Sequence, residues 1–306
     1  HQSAQSMTAP VESLPRQFAL LGDPVAHSKS PAMHAAAYRV LRLPHTYTAL
    51  RVAPGELSVA MDRLRSGEFS GFNVTVPYKR RVLDFVDRLA PSAALVGVAN
   101  TLVREADGTI VAHNTDIAAL SAELLGLSGT AGNRAVRGGE TAIVLGTGGA
   151  ARSSIAALAV DVGVGRIVVR GRGLAEPSAR AAFVAEVRAM LKDAAPLVAL
   201  EAAPLRAEPS LDAEASIFVQ ATSAGMSGAE DGNAVADAVA WSSVDPRAIA
   251  LDVVYAPPET PFLVAAQGNG LRATNGLGML ARQGALAFEH WLAMPAPYNA
   301  MLTALL

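Results

Sequence analysis

Lysine is scarce in this chain. Lys29, Lys79 and Lys192 stand against 22 arginines among 25 basic residues. An ammonium can hand a proton to a reacting oxygen, whereas a guanidinium stays charged in proteins. Each lysine is therefore a candidate for a position that arginine cannot serve. Lys79 closes the polar cluster Asn73-Val-Thr75-Val-Pro77-Tyr-Lys79. Two further clusters interrupt the apolar pattern: Ser28-Lys29-Ser30-Pro31, and the pair Asn100-Thr101 with Asn114-Thr115-Asp116. A carboxylate such as Asp116 can hold an ammonium by a charge-assisted hydrogen bond.

A different chemistry is marked by Gly146-x-Gly148-x-x-Ala151, which follows the apolar run Thr141–Leu145. A glycine turn between a buried strand and a helix is the context that gives this pattern meaning. Gly146 permits the tight turn, Gly148 admits the backbone to a pyrophosphate, and Ala151 allows close packing of helix on strand. The helix N-terminus, with Gly149 and Ala150 in its first turn, adds unpaired N–H groups. At the end of the next strand an acidic residue usually accompanies NAD and an arginine NADP. Here Val169-Arg170-Gly171-Arg172 offers two arginines and no acid before Glu176. The expected cofactor is NADP(H).

These residues require a frame of alternating strands and helices. Strands are expected at 16–21, 46–52, 71–76, 97–103, 109–113, 141–145, 166–169, 217–220 and 248–254. Helices are expected at 30–41, 54–66, 78–86, 117–125, from the glycine turn to Val162, 179–191 and 277–292. Ser30 and Pro31 suit a helix start, and Asp107-Gly108 signals a hairpin. The segment 126–139 reads as a connection. The result is an α/β protein of two domains. Residues 7–116 would bind substrate, 117–268 would form a Rossmann-type doubly wound domain, and 269–306 would add C-terminal helices. The clusters fall at strand ends, where open α/β sheets bind ligands.

Composition narrows the class. Apolar residues make 51% of the chain and charged residues 17%, with a net charge of −2, so a folded core is expected and a nucleic-acid partner is not. Absence of cysteine removes disulfides, thiolate metal sites and a cysteine nucleophile. It also suits a cytoplasmic location. No apolar run reaches the length of a membrane-spanning helix. His27, His34 and His113 lack ligand spacing with carboxylates, so no metal is expected. Residues 1–6, ahead of Met7, read as a cloning remnant and not as a signal peptide.

The ordered set HSKSPAMH, NVTVPYK, GVANT, NTD, GTGGAAR, ATSAGM, DVVYAPPETP and GLGMLARQ resembles shikimate dehydrogenase over about residues 16 to 294. The resemblance implies NADP-dependent reduction of 3-dehydroshikimate to shikimate, within the biosynthesis of chorismate and aromatic amino acids. It places Lys79 and Asp116 at the catalytic positions. Hydride delivery to a ketone leaves an alkoxide that needs such a proton donor. It also implies that Ser28, Ser30, Thr75, Asn100, Tyr255 and Gln283 bind the substrate. The implied cofactor positions are Gly146, Gly148, Gly149, Ala150, Arg170, Arg172, Thr222, Ser223, Gly276 and Met279. The C-terminal helices are implied to return to the first domain. Partners are limited to a small-molecule substrate, with no nucleic acid or membrane, in a monomer or homodimer.

The chain departs from the family pattern at four places. Ile117 follows Asn-Thr-Asp where glycine is common. Gly171-Arg172-Gly173 replaces Asn-Arg-Thr, which removes two side chains near the adenosine phosphate. Gln220 replaces an asparagine before Ala221-Thr222-Ser223, and 126–139 is long. The alternatives are a quinate/shikimate dehydrogenase using NAD, against which Ser30 speaks, and a catalytically silent nucleotide-binding regulator, against which Lys79 and Asp116 speak.

Overall fold

A computed structural model describes residues 14–129 and 138–306. The segment 1–6 and most of the connection 126–139 lie outside the described residues. The strands are β1 (Gln17–Gly22), β2 (Thr46–Arg51), β3 (Gly71–Val74), β4 (Arg88–Leu89), β5 (Thr101–Arg104), β6 (Ile110–His113), β7 (Thr141–Leu145), β8 (Arg166–Gly171), β9 (Ala199–Pro204), β10 (Ile217–Gln220), β11 (Ile249–Asp252) and β12 (Arg272–Thr274). The α-helices are α1 (Ser30–Val40), α2 (Leu57–Arg65), α3 (Pro91–Val96), α4 (Asp116–Ser128), α5 (Gly149–Ala156), α6 (Pro177–Leu191), α7 (Pro209–Glu214), α8 (Asn233–Asp237), α9 (Pro261–Gly268), α10 (Leu277–Leu292) and α11 (Tyr298–Thr303).

Two six-stranded sheets organise these elements. The first runs β2-β1-β3-β5-β6-β4. Its β1, β2 and β3 are parallel, while β5 pairs antiparallel with both β3 and β6. The second runs β12-β11-β10-β7-β8-β9 and is parallel throughout. In it the chain passes from β7 to β8 on one side and later places β10 on the other. The order therefore reverses beside β7, and such a reversal opens a crevice at the carboxyl ends of the strands.

Helix α10 ties the C-terminus to the first sheet. Its Ala281, Ala285, Phe288 and Trp291 pack with Phe18, Met33, Tyr38 and Tyr47. Trp291 lies so close to β3 that a Cβ on Gly71 would fall 2.2 Å from its Nε1, which instead donates to the Leu102 carbonyl at 3.0 Å. Helix α4 faces the other way, burying Ile117, Leu120 and Leu124 with Val144, Val219 and Leu251. Ile117 is thus an apolar anchor.

Several expectations need correction. Residues 78–86 form no α-helix, only a 3₁₀ turn at Arg81–Phe85. Lys79, Arg80 and Arg81 would crowd a helix N-terminus with cations, against its dipole. Ser30 does not cap α1. Lys29 occupies the cap position, and the Ser28 hydroxyl accepts from the Ser30 N–H at 3.1 Å. The strand expected at 97–103 starts only at Thr101, because Gly97 ends α3 in a left-handed conformation. The helix after the glycine turn does reach Val162, its last six residues wound as wider π turns.

Arg170 is fully buried and pairs with Asp212 of α7 at 2.5 Å, while also donating to the Ala238 carbonyl. It therefore has no surface to offer a cofactor phosphate, contrary to the expectation. Replacing Asp212 by alanine would strand a buried guanidinium, and an expected cost of about 3–5 kcal/mol follows. Chemical denaturation of Asp212→Ala tests this, and a loss under about 1 kcal/mol contradicts it.

His34 is buried against Tyr47, the rings stacked at 4.2 Å, and desolvation pushes its imidazole down to about 3. It stays neutral in the folded chain, yet charges in the unfolded chain below about pH 6.5. Folding stability therefore falls as pH drops from about 6.5 towards 3, by about 2 kcal/mol between pH 7 and pH 5. His34→Phe should flatten that part of the stability–pH curve, and an unchanged curve would refute the assignment.

Candidate active site

Lys79 and Asp116 meet where the two sheets approach. Lys79 follows the turn beyond β3, and its backbone carbonyl accepts from the Ala99 N–H at 2.8 Å. Its ammonium donates to Asp116 Oδ2 at 2.8 Å. The lysine side chain is 23% exposed and the aspartate 6%, so the carboxylate is buried while solvent still reaches the ammonium. Asp116 begins α4, where a carboxylate is commonly spent on its own helix. Here Asn114 Oδ1 accepts from the Asp116 and Ile117 N–H groups at 3.0 and 3.2 Å instead. That spares both Asp116 oxygens from capping, and they turn to Lys79 and Asn100.

Asn100 fixes the other side. Its Nδ2 lies 2.8 Å from Thr115 Oγ1, 3.1 Å from Asp116 Oδ1 and 3.3 Å from Gln283 Oε1. Its Oδ1 accepts from the Thr115 N–H at 2.8 Å. Gln283 reaches this point from α10, and the Thr115 hydroxyl donates to its carbonyl at 3.1 Å. Asn100 and Gln283 thus stand together beside the lysine–aspartate pair.

Four residues of this network carried no role in the sequence reading. Asn73 Nδ2 donates to the Asn100 carbonyl and to Thr101 Oγ1, both at 3.1 Å. The Tyr47 hydroxyl donates to Asn73 Oδ1 at 2.8 Å. Thr101 and Thr115 complete the chain to Asn100. A signal for Asn73 did exist, since it is a polar residue within the wholly buried strand Gly71–Val74. Tyr47 carried none beyond its place on a strand.

Ser28 and Ser30 lie at the start of α1, the first half-buried and the second buried. Tyr255, from the loop after β11, comes across to them. Burial raises its phenol, and the facing Lys29 amide and Ser28 hydroxyl partly offset that rise. Thr75 is half-buried at the end of β3. Lys29 points away, its ammonium donating to the Leu305 carbonyl at 3.2 Å.

The glycine turn sits directly beside this cluster. A Cβ on Gly149 would lie 3.9 Å from Lys79 Cδ, and Asn114 Nδ2 donates to Ser153 Oγ on α5 at 3.2 Å. Gly146 has φ +119°, a conformation strained for any side chain, and a Cβ there would strike Thr222 and the Ala221 carbonyl. Gly148 is exposed, and a Cβ on it would meet nothing within 4 Å. The turn is thus tight below and open above, which fits a pyrophosphate approaching the backbone at Gly148, Gly149 and Ala150.

Thr222 is held by Gln220, whose Oε1 accepts from its N–H and hydroxyl at 2.7 Å each. Gln220 Nε2 reaches back to Asp252 at 3.3 Å, so the longer residue still braces the loop. Burial raises the Asp252 carboxyl to about 6, against the opposing bonds from Thr260, Val254 and Gln220. Ser223 is exposed beside Thr222. Gly276 packs against the Val253 carbonyl, too close for any side chain, and Met279 is nearly buried in the core next to α4. Arg172 is exposed at the end of β8 and pairs with Glu230. Among the described residues no group of three or more histidines or carboxylates could hold a metal ion, and no helix is long and apolar enough to cross a membrane.

Comparison with known proteins agrees with this geometry. The family model for the shikimate dehydrogenase substrate binding domain matches residues 20–102, and that for the shikimate 5′-dehydrogenase C-terminal domain matches 276–306. A shikimate dehydrogenase (NADP(+)) from Citrifermentans bemidjiense is 36% identical over 94% of this chain and 93% of its own. The shikimate 5-dehydrogenase of Thermus thermophilus, solved with NADP(H) and shikimate, superposes with TM-score 0.76 at 32% identity over 95% of this chain and 98% of that one. Quinate dehydrogenase from Corynebacterium glutamicum, solved with NAD, gives 0.81 at 25% identity over 95% and 98%. Together, fold, site and relatives define an NADP-dependent oxidoreductase with a Rossmann-type sheet. More narrowly, the chain belongs to the shikimate dehydrogenase family.

Asn73 touches neither Lys79 nor Asp116, yet it supports Asn100. Asn73→Ala would remove the acceptor of the Tyr47 hydroxyl and the donor to the Asn100 carbonyl and Thr101 Oγ1, at about 1–3 kcal/mol per buried group left unpaired. It should lower both thermal stability and turnover, and full retention of turnover would show that the network does not position Asn100.

Proposed function

We propose that this protein interconverts 3-dehydroshikimate and shikimate with NADP(H). The observation that carries this reading is the 2.8 Å Lys79–Asp116 pair placed beside the glycine turn. The nicotinamide ring supplies the hydride when bound. Lys79 then gives its proton to the carbonyl oxygen of the ketone as negative charge develops there. Asp116 holds the ammonium in place and accepts a hydrogen bond from a neighbouring ring hydroxyl. Solvent at the cleft mouth reprotonates Lys79, and in the oxidative direction each of these transfers runs backwards.

Ser28 and Ser30, with Tyr255, take the substrate carboxylate. Thr75, Asn100 and Gln283 take the ring hydroxyls, and such a site rejects analogues that lack them. In this reading residues 7–116 form the substrate domain, 117–268 the cofactor domain, and 269–306 return to the first. The pyrophosphate rests on Gly146, Gly148, Gly149 and Ala150. Thr222, Ser223, Gly276 and Met279 line the nicotinamide end, and Arg172 takes the 2′-phosphate.

Ser30 is buried at the foot of the cleft, where the Tyr47 phenol also faces it. A quinate ring carries an extra hydroxyl on the carbon that bears the carboxylate, which would have to be accommodated beside Ser30 and Tyr47. Initial rates with shikimate and quinate, each with NADP⁺ and NAD⁺, test the assignment. The expected result is highest kcat/KM for shikimate with NADP⁺. Highest kcat/KM for quinate with NAD⁺ would assign the other activity, and no turnover in any combination would remove the enzymatic reading.

A further inference from the structure

Arg172 and Glu230 approach the glycine turn from opposite sides. Arg172 follows β8, where Gly171 packs on Thr147 of the turn. Glu230 lies in the loop after β10, its carbonyl accepting from the Gly225 N–H at 2.9 Å. Strands β8 and β10 are the two neighbours of β7. The Arg172–Glu230 ion pair therefore spans the carboxyl end of β7, over the turn itself.

Arg170 is buried and already paired, Gly171 and Gly173 carry no side chain, and Arg180 of α6 is engaged by the Leu174 and Ala175 carbonyls. Arg172 is thus the cation left at the end of β8, and its charge is already partly balanced. A 2′-phosphate must displace the Glu230 carboxylate or bind beside it, and either costs affinity. The ribose of NAD⁺ carries a neutral hydroxyl at that point and meets no such opposition.

We propose that Glu230 is a specificity-determining residue that competes with the 2′-phosphate of NADP⁺ for Arg172 and so narrows the preference for NADP⁺ over NAD⁺. This rests on reading Arg172 as the partner of the 2′-phosphate. The pair is about half exposed on both sides, so a modest effect is expected. An exposed ion pair is typically worth up to about fivefold in an equilibrium constant.

The test is titration calorimetry of the full chain with NADP⁺, NAD⁺ and adenosine 2′,5′-bisphosphate. Glu230→Gln should tighten binding of NADP⁺ and the bisphosphate about threefold, leave NAD⁺ within twofold, and lose its advantage at high salt. Unchanged NADP⁺ affinity, or an equal gain for NAD⁺, overturns the proposal. Arg172→Ala separates the two possible failures. It should weaken NADP⁺ and the bisphosphate but not NAD⁺. If it weakens NADP⁺ and NAD⁺ alike, the 2′-phosphate lies elsewhere. If Arg172→Ala is selective while Glu230→Gln changes nothing, the role of Glu230 alone is wrong.

Discussion

The contact between Lys79 Nζ and Asp116 Oδ2 is the constraint around which the rest is arranged. It joins two residues 37 positions apart, each at the edge of a different element. The lysine arrives on the turn ahead of the 3₁₀ segment Arg81–Phe85, where three successive cations disfavour an α-helix N-terminus. The aspartate arrives at the first residue of α4, and Asn114 serves the helix N–H groups in its place. Without that substitution of roles the carboxylate would be spent on capping. Asn100 then fixes its second oxygen, and Asn73 and Tyr47 fix Asn100.

The same contact explains why the two sheets must sit as they do. Lys79 lies beside the start of α5, so the lysine–aspartate pair and the glycine turn adjoin each other. The bond from Asn114 to Ser153 holds them there. Arg80 reaches Glu186 of α6 at 3.4 Å, and Glu186 also holds Arg152 of α5 at 2.5 Å. Helix α10 closes the arrangement from the C-terminal side and delivers Gln283 to Asn100. The lysine–aspartate pair and the glycine turn are thus brought together by elements from both sheets, which is the usual setting for cleft closure on binding.

Much of this was legible from the residues. The glycine turn announced itself, because a buried strand ran straight into it. Local patterns failed where a partner lay far along the chain. Arg170 and Arg172 looked equivalent as two arginines at a strand end. Asp212, 42 positions later, buries the first, while the chain bends into a 3₁₀ turn and exposes the second. Ser30 looked like a helix cap until the chain placed Lys29 there. The short strands β4 and β12 were missed because they are held by their neighbours in the sheet, and the longer β9 because its Ala-Leu-Glu-Ala-Ala-Pro is poor in strand-forming residues.

The central claim is that Lys79 supplies a proton and not merely a positive charge. Arginine keeps the charge at that position and cannot give up the proton, whereas Lys29 and Lys192 lie outside the site. The decisive measurement is therefore kcat for Lys79→Arg beside Lys79→Ala, Lys29→Arg and Lys192→Arg, all under saturating shikimate and NADP⁺. Both Lys79 variants should lose about 10²–10⁴-fold in kcat, while the other two stay close to the parent chain. A Lys79→Arg variant that turns over at the parent rate would contradict the account.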